Sequence, residues 1–223
     1  MSPGRITKKE MKEDKLVTTA FKLQEWVQQH LNQVLMVAGG VVLAAIMVYF
    51  FFSSKAGRNQ KAAELFSQAT FEFQSGNANQ AITDLNTVME KYGGTKTASQ
   101  ATFYLATAYF YAKDYAKAQA TFRRFLDKYK ENPLLLASAQ AGIAECQVEN
   151  KEFQSAGDNF VKAVSIKPDN FMAPQYLLSA GQAYLKANQK DKAREVFKKL
   201  IGQYPDSKEV YQAKEQLAEN QLL

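Results

Sequence analysis

The sequence predicts an all-α protein: a single N-terminal transmembrane helix, then a helical solenoid of four helix pairs closed by a C-terminal capping helix. Three observations predict it. Residues 34–52 are apolar throughout apart from Gly39, Gly40 and the Tyr49 hydroxyl. The remainder is rich in Ala, Gln and Lys, with only five prolines in 223 residues, and such a composition favours helix over strand. After residue 60 one pattern of small and large apolar residues returns four times, at spacings of 37, 38 and 37 residues, a period that marks stacked supersecondary units.

Residues 31–54 hold no charged side chain. As a helix, 34–52 rises about 28 Å, close to the roughly 30 Å hydrocarbon thickness of a bilayer. Tyr49, Phe50, Phe51 and Phe52 at one end and Trp26 upstream of the other suit interfacial anchoring. A secretory leader has a short basic start and an apolar region of about 7–15 residues. Here the preceding stretch is longer and contains Glu10, Glu13, Asp14 and Glu25, and the apolar run is too long. An uncleaved anchor is expected, with Ser54-Lys55-Ala56 the nearest approach to a cleavage site. Before the span, Leu16, Val17, Ala20, Phe21, Leu23, Val27 and Leu31 recur at helical spacing, giving an amphipathic helix over 15–33 or an extension of the membrane helix. Flanking positive charges, Lys15 and Lys22 before and Lys55, Arg58 and Lys61 after, do not choose an orientation.

The expected organisation is a charged tail and juxtamembrane helix (1–33), the span (34–52), a linker (53–61), four repeats (62–95, 99–132, 137–170 and 174–207) and a capping helix (208–223). The repeats are anchored by Ala81, Ala118, Ala156 and Ala193, each followed four residues later by Leu85, Phe122, Phe160 and Phe197. Ahead of each anchor lies a turn, and ahead of the turn a helix bearing a small residue: Ala69, Ala106, Ala144 and Gly181. Small residues let two antiparallel helices approach, and the large residue fills the gap to the next unit. Tyr109 and Tyr184 recur at one place on the first helix of a pair, and Pro168 and Pro205 stop the second helix. In the final stretch Val210, Ala213 and Leu217 form one apolar face that closes the open end.

Several function classes lack their parts. The net charge of +6 is spread thinly, with six Lys/Arg against four Asp/Glu in the N-terminal tail and 22 against 18 after Phe52, so there is no concentrated basic stripe for nucleic acid. With Cys146 and His30 the only cysteine and histidine, neither a disulfide, a Cys/His metal site nor a Ser/His/Asp triad can be assembled in the repeat region. Cys146, in an Ala-rich helix, reads as a buried, inert thiol. Glu145 and Glu149, four apart, read as a solvated face rather than a catalytic pair. No enzyme activity, cofactor or small-molecule substrate is expected, and proteins and the lipid bilayer are the expected partners.

The repeat pattern resembles the tetratricopeptide repeat, most closely over residues 99–132 and 174–207, with Glu72 in the first copy where an aromatic is usual. The resemblance implies that the first helices of successive pairs line a concave groove. In this register the groove candidates are Phe66, Thr70 and Phe73, then Gln100, Phe103, Thr107, Phe110 and Tyr111, then Ala141, Glu145, Val148 and Glu149, and lastly Leu178, Gln182 and Leu185. An apolar groove of this kind suits unfolded segments or an amphipathic helix, with aromatics carrying most of the affinity. It lacks the recurring Lys and Asn with which related co-chaperones clamp an acidic C-terminal tail.

The order of tail, amphipathic stretch, Gly-containing span, basic linker and repeat array resembles the bacterial ancillary subunit of the SecYEG translocon. It rests on Phe21-Lys22-Leu23-Gln24-Glu25-Trp26, on Gly39-Gly40 and on Ser53-Ser54-Lys55-Ala56-Gly57-Arg58, while Tyr204-Pro205-Asp206-Ser207 is similar to repeats of bacterial envelope proteins. That family implies a cytoplasmic N-terminus, periplasmic repeats at the inner membrane, and translocon subunits, periplasmic chaperones or unfolded clients as partners. A scaffold for another envelope complex is the competing expectation.

Overall fold

A computed structural model describes residues 8–222, with side chains from Val17 onward. Among the described residues every regular element is an α-helix. The chain divides into two compact units, one ending at Ala56 and the other beginning at Gly57.

In the first unit, α1 (Lys8–Gln29) is followed after a single residue by α2 (Leu31–Gln74). His30 interrupts the helix assignment but not the hydrogen bonding, since its N–H donates to the Trp26 carbonyl at 3.0 Å and its own carbonyl accepts from Val34 at 2.9 Å. The Trp26 and His30 rings stack with centroids 5.0 Å apart. The expected helix over 15–33 is therefore divided at His30. Within α2 an 18-residue window is long and apolar enough to cross a membrane, and none of it is buried against protein. The core helix of a soluble domain would be covered instead.

Residues 53–61, expected as a linker, are helical and part of α2. The reason is local. Gly57 costs the helix about 1 kcal/mol, and with Ser53, Ser54 and Asn59 it is the weak part of a stretch whose Lys, Ala, Arg and Gln neighbours favour helix.

The second unit is the solenoid. Residues 57–74 of α2 pack with α3 (Ala78–Tyr92) and α4 (Thr97–Tyr111) through Ala62, Ala69, Leu85, Val88, Ala101 and Leu105. Helix α4 pairs with α5 (Tyr115–Lys128), α6 (Pro133–Glu149) with α7 (Phe153–Ile166), and α8 (Ala173–Lys186) with α9 (Lys190–Gln203). Helix α10 (Glu209–Glu219) closes the end against α8 and α9, burying Val210, Ala213 and Leu217. Pro168 and Pro205 each lie two residues beyond the helix they follow.

Each first helix ends in the same way. Gly76, Lys113, Lys151 and Asn188 have φ of 84°, 62°, 63° and 57°, and Gln221 repeats the turn after α10 at 56°. The N–H one residue further on reaches back five residues to a helix carbonyl: Asn77 to Glu72, Asp114 to Tyr109, Glu152 to Gln147, Gln189 to Tyr184 and Leu222 to Leu217, at 2.8 or 2.9 Å. This left-handed cap satisfies a carbonyl that the helix end leaves open and reverses the chain. Asp114 then caps α5 by accepting from the Lys117 N–H at 3.1 Å.

Side-chain size sets how closely the helices lie. The residues Ala69, Ala81, Ala106, Ala118, Ala144, Ala156, Gly181 and Ala193 are all buried, as are Leu85, Phe122, Phe160, Phe197 and Tyr184. A Cβ added to Gly181 would stand 2.3 Å from Cε1 of Phe197, and one on Gly142 would stand 2.6 Å from Cε2 of Phe122. Tyr109 and Tyr184 link each first helix to the second helix of the preceding pair. The Tyr109 hydroxyl accepts from Asn86 at 3.3 Å, and the Tyr184 hydroxyl donates to Asp158 at 2.6 Å.

Since Phe197 is completely buried and has no room to retreat, Gly181→Ala is expected to destabilise the protein by about 1–3 kcal/mol despite alanine's better helix propensity. Gly202→Ala, whose Cβ meets nothing within 4 Å, is expected to leave stability equal or higher. Denaturant unfolding of the full chain in detergent micelles, followed by circular dichroism, measures both.

Candidate functional site

The first helices α4, α6 and α8 stand side by side, and between them opens a cavity of about 200 Å³. Phe110 enters it from α4, Glu145, Val148 and Glu149 from α6, Phe160 from α7, and Ser179, Gln182, Ala183 and Lys186 from α8. Among the groove residues expected from sequence, Phe110, Glu145, Val148, Glu149 and Gln182 are thus brought together. Leu185 lines a separate, more open cavity with Gln182, Lys186, Gln216 and Asn220.

Further toward α2 the groove is aromatic. Phe66 meets Tyr104 edge to face with centroids 5.2 Å apart, and Phe73 meets Tyr111 at 5.5 Å. Both pairs are separated by seven residues on each helix, so they form successive rungs on one face. Phe66 and Phe73 are half-buried, whereas Tyr111 is 68% exposed. Tyr111 contacts Phe110 at 5.9 Å and Phe110 contacts Tyr115 at 5.5 Å. The Tyr115 hydroxyl donates to Glu149 at 3.1 Å, which joins the aromatic run to the cavity.

Three expected groove residues, Leu178, Phe103 and Ala141, pack toward the core instead. Leu178 is 1% exposed and sits in the core with Phe160, Leu177 and Leu200; Ser179 takes the groove position. Phe103 packs edge-on against Phe122 and Phe125 at 5.7 and 5.8 Å, and its neighbour Tyr104 is the exposed ring. Ala141 is also buried. One residue turns a helix by about 100°, so a register error of one exchanges the concave face for the packing face. The seven-residue spacing of Tyr104 and Tyr111, matching Phe66 and Phe73, is the sequence signal that identifies the ladder.

Glu145 and Glu149 are both solvent-exposed, as their spacing leads one to expect. Glu145 keeps an edge to solvent, but the protein around it excludes enough water to raise its carboxyl pKa above the ordinary value. Tyr115 is shifted upward too, by desolvation and by its hydrogen bond to Glu149. About 100° around α6 from Glu145, Cys146 is buried. Desolvation, with the nearby Glu145 charge adding to it, pushes its thiol up to about 12.

A stack of helix pairs whose first helices line a common cavity defines a helical-repeat protein, a class of fold that serves protein–protein interaction. Residues 24–219 match the family model of the tetratricopeptide repeat-like domain, and the chain belongs to that family. No curated protein matches the sequence. Among solved structures, the chain is similar to the apo form of RapI (18% identity, TM-score 0.64, covering 74% of this chain and 48% of that one). It is also similar to a tetratricopeptide repeat protein from Parabacteroides merdae (16% identity, TM-score 0.59, covering 70% of this chain and 58% of that one). MamA from Desulfovibrio magneticus RS-1 is a third (16% identity, TM-score 0.58, covering 73% and 86%). At these identities the likeness is one of fold. This chain spans about half the length of the first two.

Two measurements check the site's electrostatics. With a pKa of about 12, roughly one Cys146 thiol in ten thousand is ionised at pH 8, so a thiol-directed reagent is expected to label the denatured chain fully before the native chain reacts detectably. A raised carboxyl pKa in the folded state means that Glu145 contributes full stability below its ordinary value of 4.5 and loses it as pH rises through the raised value. Glu145→Gln abolishes that titration. Its unfolding midpoint relative to wild type is expected to rise between pH 4 and pH 8, and a constant difference would mean the carboxyl is fully hydrated.

Proposed function

We propose that the protein is a membrane-tethered, non-catalytic interaction module that assists protein translocation or chaperone recruitment at the bacterial inner membrane, with its N-terminus cytoplasmic and its repeats periplasmic. The observation that carries the tether is the uncovered apolar window of α2. Burying such a surface in lipid is favourable at about 25 cal/mol per Å², and no protein surface covers it. The family match supports treating span and repeats together, since it begins at residue 24 and takes in residues 34–52 as well as the array. The aromatic ladder and the cavity supply the docking face, with half-buried rings held in place and Tyr104 and Tyr111 open to a partner.

Mild crosslinking in native membranes, followed by identification of the attached proteins, tests this reading. Translocon subunits together with chaperones or varied clients are expected. One fixed set of subunits in constant ratio would instead make the protein a scaffold of another envelope complex, and a mature chain shorter by about fifty residues would make the apolar segment a leader rather than an anchor. Ser75→Cys, at an exposed turn, reports orientation: an impermeant thiol reagent is expected to label it from the periplasmic side, over little background from buried Cys146.

A further inference from the structure

We propose that the cavity between α4, α6 and α8 is a socket for one lysine or arginine side chain of the docked partner, so that the partner segment is an apolar stretch carrying a basic residue. The inference rests on the docking reading above and names the chemistry of its occupant.

The walls and the charges point to the same ligand. Phe110, Val148 and Phe160 offer an apolar lining for an aliphatic stem, and Glu145 and Glu149 supply the acceptors at its end. At about 200 Å³ the space is below the roughly 300–1,000 Å³ of pockets that take drug-sized ligands, which suits one side chain. The two carboxylates are four residues apart on one helix face, a like-charge arrangement that is unfavourable in an isolated helix. Among the described residues neither forms an ion pair. The cation nearest in the lining, Lys186, has its ammonium 5.5 Å from the centre of the Phe153 ring. The Tyr115 hydroxyl, donating to Glu149, holds one carboxylate in position without neutralising it. A partner's cation would relieve the repulsion and the partial desolvation together, while its stem covers Phe110. Phe110 adjoins Tyr111 of the aromatic ladder, so the apolar remainder of such a segment has a continuous surface to follow.

The experiment uses the full chain in nanodiscs of neutral phosphatidylcholine, which give basic peptides no anionic lipid to bind. A phage-displayed library of random 12-residue peptides is selected against it, and the enriched sequences are synthesised with a fluorescent label for anisotropy titration. Enrichment of apolar peptides containing Lys or Arg is expected, with affinity falling about tenfold when arginine is replaced by citrulline or lysine by acetyl-lysine. Glu145→Gln combined with Glu149→Gln is expected to abolish that preference while retaining helicity and a cooperative thermal transition. Lys186→Gln is expected to tighten the basic peptides about threefold, a gain that misfolding would not produce. Selected peptides without basic residues, equal binding of citrulline peptides, or an unchanged preference in the double variant would overturn the socket and leave the docking reading standing. Failure to select any peptide would count against both.

Discussion

The distance between paired helices is the constraint on which the rest of the solenoid depends. Gly181 admits the ring of Phe197 to a place where a methyl group would stand 2.3 Å from it, and between successive pairs Gly142 of α6 admits Phe122 of α5 in the same way. Where the small residue is alanine, as at Ala69, Ala106 and Ala144, it too is completely buried. Such contacts recur because the chain reverses at fixed intervals. The left-handed residues Gly76, Lys113, Lys151 and Asn188 are separated by 37, 38 and 37 residues, the period of the packing pattern itself. Turn and contact are therefore one device: a residue with positive φ begins the second helix at the phase that brings the large side chain to the small one. Only Gly76 adopts that conformation without steric cost, and for the others the strain is roughly 1–2 kcal/mol each, offset by the carbonyl the cap satisfies and by the packing it permits.

A groove follows from this geometry without any residue being dedicated to it. Stacked first helices present one face to their partners and another to the concave side, and the aromatic side chains near the boundary serve both. Phe66 and Phe73 are half-buried against the core of the first two pairs while meeting Tyr104 and Tyr111 edge-on. Helix α6 shows the same division between neighbours: Cys146 is buried in the core and Glu145 faces the cavity. A face attached so closely to the core is preorganised, with little side-chain entropy left to lose.

Period, helix pairing and the buried face were legible in the sequence because each rests on many residues at once, and an error at one position does not disturb the pattern. The groove was legible only in part because it depends on single positions. Leu178 and Ser179, or Phe103 and Tyr104, differ by about 100° around their helices, and hydrophobicity favours the wrong member of each pair, since the more apolar residue is the one the core takes. The caps at Lys113 and Lys151 were hidden for a related reason, because lysine carries no signal for positive φ and only the repeated spacing betrays it. The helical state of residues 53–61 was masked by serines and glycine that usually mark a linker, although tolerated here within α2. Glu145 and Glu149 keep the solvent exposure that their spacing suggests; the partial desolvation of Glu145 carries no signal in the local sequence, because the cavity beside it is also lined from other helices, by Phe110 and Phe160.

The modest size of the cavity fits the proposed setting better than it would fit a freely diffusing binder. A single basic side chain and a few aromatic contacts correspond to a weak site, because ordering the partner segment takes back much of what those contacts gain. Confinement to a membrane changes that arithmetic. When protein and partner are held at the same bilayer the second contact is effectively intramolecular, with a local concentration on the order of millimolar, so an intrinsically weak site is occupied without any further interaction. Weak intrinsic binding also permits release, which a module handling successive partners requires and a permanent scaffold does not.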